Sequence, residues 1–143
     1  MFKKILLPTD GSEHSNRAAE HAIWIAGRSD AEIIALNVVE TSKLPEIRSG
    51  DLKTQLHDMM ESEGKSALER IHNTLQNDEN KFKTTFLIKK GSPSDIILKT
   101  IDDEDIDMVI MGASRKHGLD RFFLGSVAEK VLRNAKCTVT VVK

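Results

Sequence analysis

Asp107-Met-Val-Ile-Met111 runs into Gly112-Ala-Ser-Arg-Lys-His-Gly118 and then into Leu119-Asp-Arg-Phe-Phe-Leu-Gly125-Ser126-Val127. An apolar run, a glycine-bearing polar loop and a Gly-Ser at the head of a helical pattern form a layout that turns backbone N–H groups toward a phosphate. Gly112 lets backbone approach a ligand closely, while Gly125 and Ser126 offer N–H groups and a hydroxyl at the positive end of a helix dipole. That chemistry suits a polyphosphate. The stretch is not a Walker loop, because the Gly-Lys-Ser/Thr ending is missing, nor is there a dinucleotide fingerprint after the first strand. Asp120 is the lone acidic residue between Gly112 and Ser126, and a surface position accounts for it, so no base for hydrolysis is visible there.

These residues need a scaffold, and five short apolar segments separated by amphipathic ones provide it. The segments are Lys3–Pro8, Glu32–Val39, Phe82–Ile88, Ile106–Met111 and Thr138–Val142. The second and fourth are nearly continuous apolar runs, as expected of strands covered on both faces, and the mixed third segment fits near an edge. Between them, Ser12 caps a helix with Ala18, Ala22, Ile25 and Ala26 on one face that ends near Gly27. A loop over 41–50 leads into the longest helix, from Asp51 to about Gln76, interrupted at Gly64. Ser92-Pro93-Ser94-Asp95 reads as a capping box with proline at the first helical position. Gly125-Ser126 opens the last helix, with Val127, Val131 and Leu132 on one face.

Alternation of this kind specifies a parallel sheet with helices on both faces, which binds ligands beyond the carboxyl ends of its strands where the strand order reverses. The first strand ends in Pro8-Thr9-Asp10-Gly11-Ser12. If the first and fourth strands are neighbours, Asp10 and Gly112 line one crevice. Asp10 alone would read as a turn residue before Gly11; its place opposite Gly112 makes it a site candidate.

At 143 residues the chain fits one domain, residues 1–143. Its 21 Lys and Arg nearly cancel its 22 Asp and Glu, so net charge points neither to nucleic acid nor to an anionic membrane. The apolar run near Met1 is too short for a signal peptide, and nothing approaches a membrane span, so the expected location is cytoplasmic. Cys137, with no second cysteine to pair with, reads as a small buried side chain. His14 and His21 read as solvated residues rather than metal ligands, Asp102 to Asp105 as a solvated turn, and Met59, Met60, Phe122 and Phe123 as packing residues.

Several motifs in order resemble the universal stress protein family over essentially the whole chain. They are Ile5-Leu-Leu-Pro-Thr-Asp-Gly-Ser12, Ile33-Ile-Ala-Leu-Asn-Val38, Gly91-Ser-Pro-Ser-Asp-Ile96, Asp107–Gly112, Leu124-Gly-Ser-Val-Ala-Glu-Lys-Val-Leu132 and Cys137–Val142. The resemblance implies an α/β fold, a five-stranded parallel doubly wound sheet of order 3-2-1-4-5, and a homodimer made by antiparallel pairing of the C-terminal strands. For the nucleotide-binding branch it implies ATP held by a loop of the form Gly, two residues, Gly, nine residues, Gly, then Ser or Thr. Gly112, Gly125 and Ser126 occupy the first, third and last of these positions at intact spacing, but Arg115 replaces the second glycine.

The resemblance further implies that Pro8, Thr9 and Asp10 lie near adenine and ribose, Val38 contacts adenine through its backbone, and Met111 and Val127 flank the phosphate loop. Asp10 can accept from ribose hydroxyls or help hold a magnesium ion bound with the nucleotide. An arginine at a left-handed position would cost about 1–2 kcal/mol, which a bound triphosphate can offset. Two outcomes stay open: Arg115 clasps phosphate, or its side chain fills the phosphate space. Lys116, Gly118 and Arg121 keep the loop cationic and glycine-bearing, which favours retained ATP binding. The expected function is an ATP-binding dimeric sensor or regulatory module that acts through an unknown protein partner, with slow or no hydrolysis. The alternative is a nucleotide-free interaction module closed by Arg115.

Overall fold

The computed structural model describes residues 1–42, 50–76, 82–113 and 124–143. Within them, strands β1 (Lys4–Pro8), β2 (Glu32–Glu40), β3 (Thr84–Gly91), β4 (Met108–Gly112) and β5 (Thr138–Val142) form one sheet. Its order is β3-β2-β1-β4-β5 with every pairing parallel. This is the α/β architecture and order that the resemblance implies, and the mixed third segment does lie on an edge. Helices α1 (Glu13–Ser29), α2 (Gly50–Gln76), α3 (Pro93–Asp103) and α4 (Ser126–Asn134) cover the sheet.

Successive strand residues point to opposite faces, so two separate cores form. Ile5, Leu7, Ile33, Ala35, Met108 and Ile110 face α1 and α2. Leu6, Ile34, Leu36, Val109 and Met111 face α3 and α4. The first core receives Ala18, Ala19, Ala22 and Ala26 from α1, and these small residues let that helix lie close against the strands.

Several helix details depart from the sequence expectations. α1 passes through Gly27 to Ser29, and Asp30, at φ 54°, makes the left-handed turn in its place. A short polar side chain tolerates that conformation, and the Ser29 hydroxyl back-bonds to the Ile25 carbonyl at 2.8 Å. α2 is continuous through Gly64, which is buried. Ser92 does stand at the N-cap with Pro93 following, but no side-chain cap bond forms. The Asp95 carboxylate instead accepts from Lys130 of α4 at 2.7 Å. On α4 the buried residues are Ala128 and Val131, while Leu132 is 49% exposed.

Beyond Leu6 and Val109 the centre of the sheet parts. β1 stays paired with β2 through Pro8↔Leu36, and β4 stays paired with β5 through Gly112↔Val142. The β1–β4 pairing comprises Ile5↔Met108 and Leu6↔Val109. β1 leads to α1 on one face and β4 precedes α4 on the other, so the reversal of strand order opens a gap at the carboxyl ends.

Candidate functional site

The gap is a crevice of about 970 Å³ lined by residues of both sheet halves. Its floor starts at Thr9, 5% exposed, whose N–H continues the ladder to the Leu36 carbonyl at 2.8 Å. The Thr9 carbonyl accepts from Asn37 Nδ2 at 2.9 Å, and Asn37 is itself only 6% exposed. A buried amide inside an apolar strand is costly unless paired; here it fixes the exit of the neighbouring strand. The Asn37 Oδ1 lies where a Cβ on Gly64 would stand, so this helix glycine allows α2 to pass directly over the clasp.

Next in the chain, Asp10 accepts the Ser12 N–H at 2.9 Å and Gly11 turns at φ 78°. Ser12 caps α1 by accepting from the Ser15 N–H at 3.3 Å, as its position predicts. The Ser15 hydroxyl donates to the Ser12 carbonyl at 2.9 Å and lies 3.3 Å from the Thr9 hydroxyl. Thus the first turn of α1 is tied to the end of β1 through hydroxyls.

Across the gap, Gly112 is set against the same turn. A Cβ there would lie 2.8 Å from the His14 Cβ and 2.9 Å from the Ser15 nitrogen. The missing side chain therefore makes room for α1, while Gly112 also lines the crevice. His14 is half-buried beside it, with a buried Nδ1 that finds no partner among the described residues, so the expectation of a solvated histidine holds for exposed His21 but not for His14.

Ala113 continues the outer half-sheet by donating to the Val142 carbonyl at 2.8 Å, and its own carbonyl accepts from Gly125 at 2.7 Å. That pair of bonds sets the N-terminus of α4 at the crevice, with Gly125 as N-cap. Ser126, Val127 and Ala128 of its first turn line the cavity, as does Pro93 at the start of α3. Three helix N-termini, those of α1, α3 and α4, thus meet one cavity, and each turns the positive end of its dipole toward it.

The site residues expected from the sequence that lie within the described segments all line this one crevice: Pro8, Thr9 and Asp10, then Val38, then Met111 and Gly112, then Gly125, Ser126 and Val127. Arg115 lies outside the described residues, as do Lys116, Gly118, Asp120, Arg121, Phe122 and Phe123. Sequence reasoning missed the contribution of α2, which supplies Met60, Glu63, Ser66 and Arg70. Met60 borders the cavity and Met59 is 55% exposed, so neither is a simple packing residue. The readable signals were a lone Asn37 in an apolar strand and a Gly64 inside a helix. Glu40 also lines the crevice, so the charged side chains of the described lining are Asp10, Glu40, Glu63 and Arg70. No group of three or more potential metal ligands occurs among the described residues.

Cys137 is half-buried, and burial pushes its thiol pKa up, which disfavours the reactive thiolate. Of the Asp102 to Asp105 run expected as a solvated turn, exposed Asp102 and Asp103 instead close α3, and exposed Asp105 makes the turn after it at φ 52°. No helix among the described residues is long and apolar enough to cross a membrane.

Comparison with known proteins bears on the same geometry. The model of the universal stress protein family matches residues 1–143. Universal stress protein MJ0531 of Methanocaldococcus jannaschii is 38% identical over 143 residues, covering 100% of this chain and 83% of that one. Among solved structures, hypothetical protein MJ0577, named a universal stress protein in the same organism, superposes with a TM-score of 0.85 at 33% identity, covering 100% of this chain and 96% of the other. A protein of the family from Arabidopsis thaliana, solved with AMP bound, shares the fold at a TM-score of 0.70 and 20% identity, with 99% and 91% covered.

Proposed function

The chain belongs to the universal stress protein family, and from that premise we propose that it is a cytoplasmic ATP-binding module, one domain over residues 1–143, acting as a homodimer in stress sensing or regulation. The parting of β1 from β4, with three helix N-termini facing the opening, carries the reading. Apolar Val38 and Met111 suit the base, Asp10 suits ribose hydroxyls or a magnesium ion, and the Gly125–Ser126 turn suits phosphate oxygens. The AMP bound to the Arabidopsis protein is consistent with adenine nucleotides on this fold. Asp120 is the lone acid between Gly112 and Ser126, which supports slow or no hydrolysis, so we assign no catalytic residue.

The test is calorimetric titration of ATP, with and without magnesium, into the full chain. Saturable heat with magnesium-enhanced affinity is expected. No heat and no rise in melting temperature at millimolar ATP would overturn the reading. Replacement of the family's second loop glycine by Arg115 favours a second reading, a nucleotide-free interaction module. It predicts that Arg115→Gly alone gains ATP binding.

The sheet edges support dimerisation through β5. On the β3 edge, Lys90 pairs with Glu61 at 3.4 Å and Lys89 reaches the Thr100 hydroxyl at 3.1 Å. β5, Thr138-Val-Thr-Val-Val142, has no charged or proline residue, and such an edge is open to strand addition. Val139→Lys is expected to shift the mass measured by light scattering from dimer to monomer. A dimeric Val139→Lys would place the contact elsewhere.

A further inference from the structure

α2 adds a cation on the side of the crevice opposite α4. Gly11, at φ 78°, has no side chain, and Arg70 occupies that space: its Nη2 lies 2.7 Å and its Cζ 3.4 Å from where a Cβ on Gly11 would stand. Arg70 therefore rests against the backbone immediately after Asp10 while lining the cavity. Its Nε makes one long bond, 3.4 Å, to the Ser66 carbonyl a turn earlier. Among the described residues no carboxylate pairs with it. The remaining guanidinium N–H groups are thus not committed to a described side chain, and they stand at the rim of a cavity whose other described charged lining is acidic.

A guanidinium that rests against backbone, with its fork uncommitted among the described residues, is arranged to bind a planar pair of anionic oxygens. The two cores lie on opposite faces, so Arg70 and the α4 N-terminus approach the opening from different sides. We propose that Arg70 is a ligand-contacting residue that donates to phosphate oxygens of the nucleotide, making α2 a wall of the site. This inference rests on the ATP-binding reading above. It assigns the α2 face a specificity role: the site distinguishes phosphorylated from unphosphorylated nucleosides partly through a helix outside the glycine loop.

The competing role for Arg70 is mechanical, a prop beneath the Gly11 turn. The two separate in a ligand cycle. ATP and adenosine are titrated calorimetrically into wild type, Arg70→Gln and Arg70→Lys at low and moderate salt, adenosine by competition if its heat is small. Loss of one charge-assisted interaction is expected to weaken ATP binding to Arg70→Gln about tenfold. Adenosine affinity should change less than about twofold, because its contacts exclude phosphate. Salt should weaken ATP binding to Arg70→Gln less steeply than to wild type, and Arg70→Lys should recover part of the affinity.

Equal weakening of ATP and adenosine would assign Arg70 the propping role and overturn the inference. Unchanged ATP binding by Arg70→Gln would overturn it too, with the ATP-binding reading intact. If wild type bound neither ligand, both would fall. Arg70 is exposed and outside the cores, so the substituted chain is expected to keep the wild-type melting temperature without ligand, which checks that the fold survives.

Discussion

A Cβ on Gly112 would meet the Cβ of His14 at 2.8 Å and the His14 carbonyl carbon and Ser15 nitrogen at 2.9 Å, and the latter two are backbone atoms of a capped turn that no rotamer change can withdraw. The same residue fills the first glycine position of the phosphate-loop pattern, so helix packing alone already demands a glycine there, and the proposed nucleotide contact would add a second reason. Gly112→Ala is expected to destabilise the chain by roughly 1–3 kcal/mol, read from denaturant midpoints, by forcing the start of α1 away from β4. Wild-type stability of the variant would mean that α1 shifts at no cost. Asp10 and Gly112 were legible in the sequence because each ends an apolar run, where a polar or glycine residue marks the lip of the sheet. Asn37 was present as an anomaly, but its role depends on the Thr9 carbonyl of another strand.

Strands were the most legible elements, because residues buried on both faces leave continuous apolar runs. Helix ends and helix paths were less so. Gly27 looks like a terminus, yet Asp30 makes the turn, and Gly64 looks like a break, yet it admits the Asn37 amide. In an exposed helix, replacing glycine by alanine gains roughly 1 kcal/mol. Gly64→Ala is expected to reverse that sign, because the new methyl would displace the Asn37 oxygen and with it the bond to Thr9. Thermal melting checks the sign, and a raised melting temperature would refute the close packing of α2 on β2. The same α2 path explains why its wall of the crevice escaped a reading based on loops.

For the whole molecule, the chain start is held to the residue that precedes β4, more than a hundred positions later. Asp107 accepts the N–H groups of Lys3 at 2.8 Å and Lys4 at 2.9 Å, and these two bonds pull its carboxyl below the usual aspartate pKa, against a smaller opposing effect of burial. A carboxylate with a depressed folded-state pKa contributes stability above its unfolded value, about pH 4, and loses it as pH falls through the folded value. Asp107→Asn is expected to be less stable than wild type at neutral pH, with the difference shrinking in acid. A difference independent of pH would assign the contribution to packing instead.

The separation of the two cores also reaches into how the molecule opens. Leu6 and Leu7 are neighbours in the chain but belong to different hydrophobic clusters, the first shared with α3 and α4, the second with α1 and α2. Each side of the sheet can therefore act as its own cooperative unit of fluctuation. In native-state hydrogen exchange, Leu6→Ala is expected to lower protection chiefly in α3 and α4, and Leu7→Ala chiefly in α1 and α2; identical patterns would mean the molecule breathes as one body. An occupant of the parted strands touches both units at once, so its binding would register as synchrony between amides on opposite faces of the sheet.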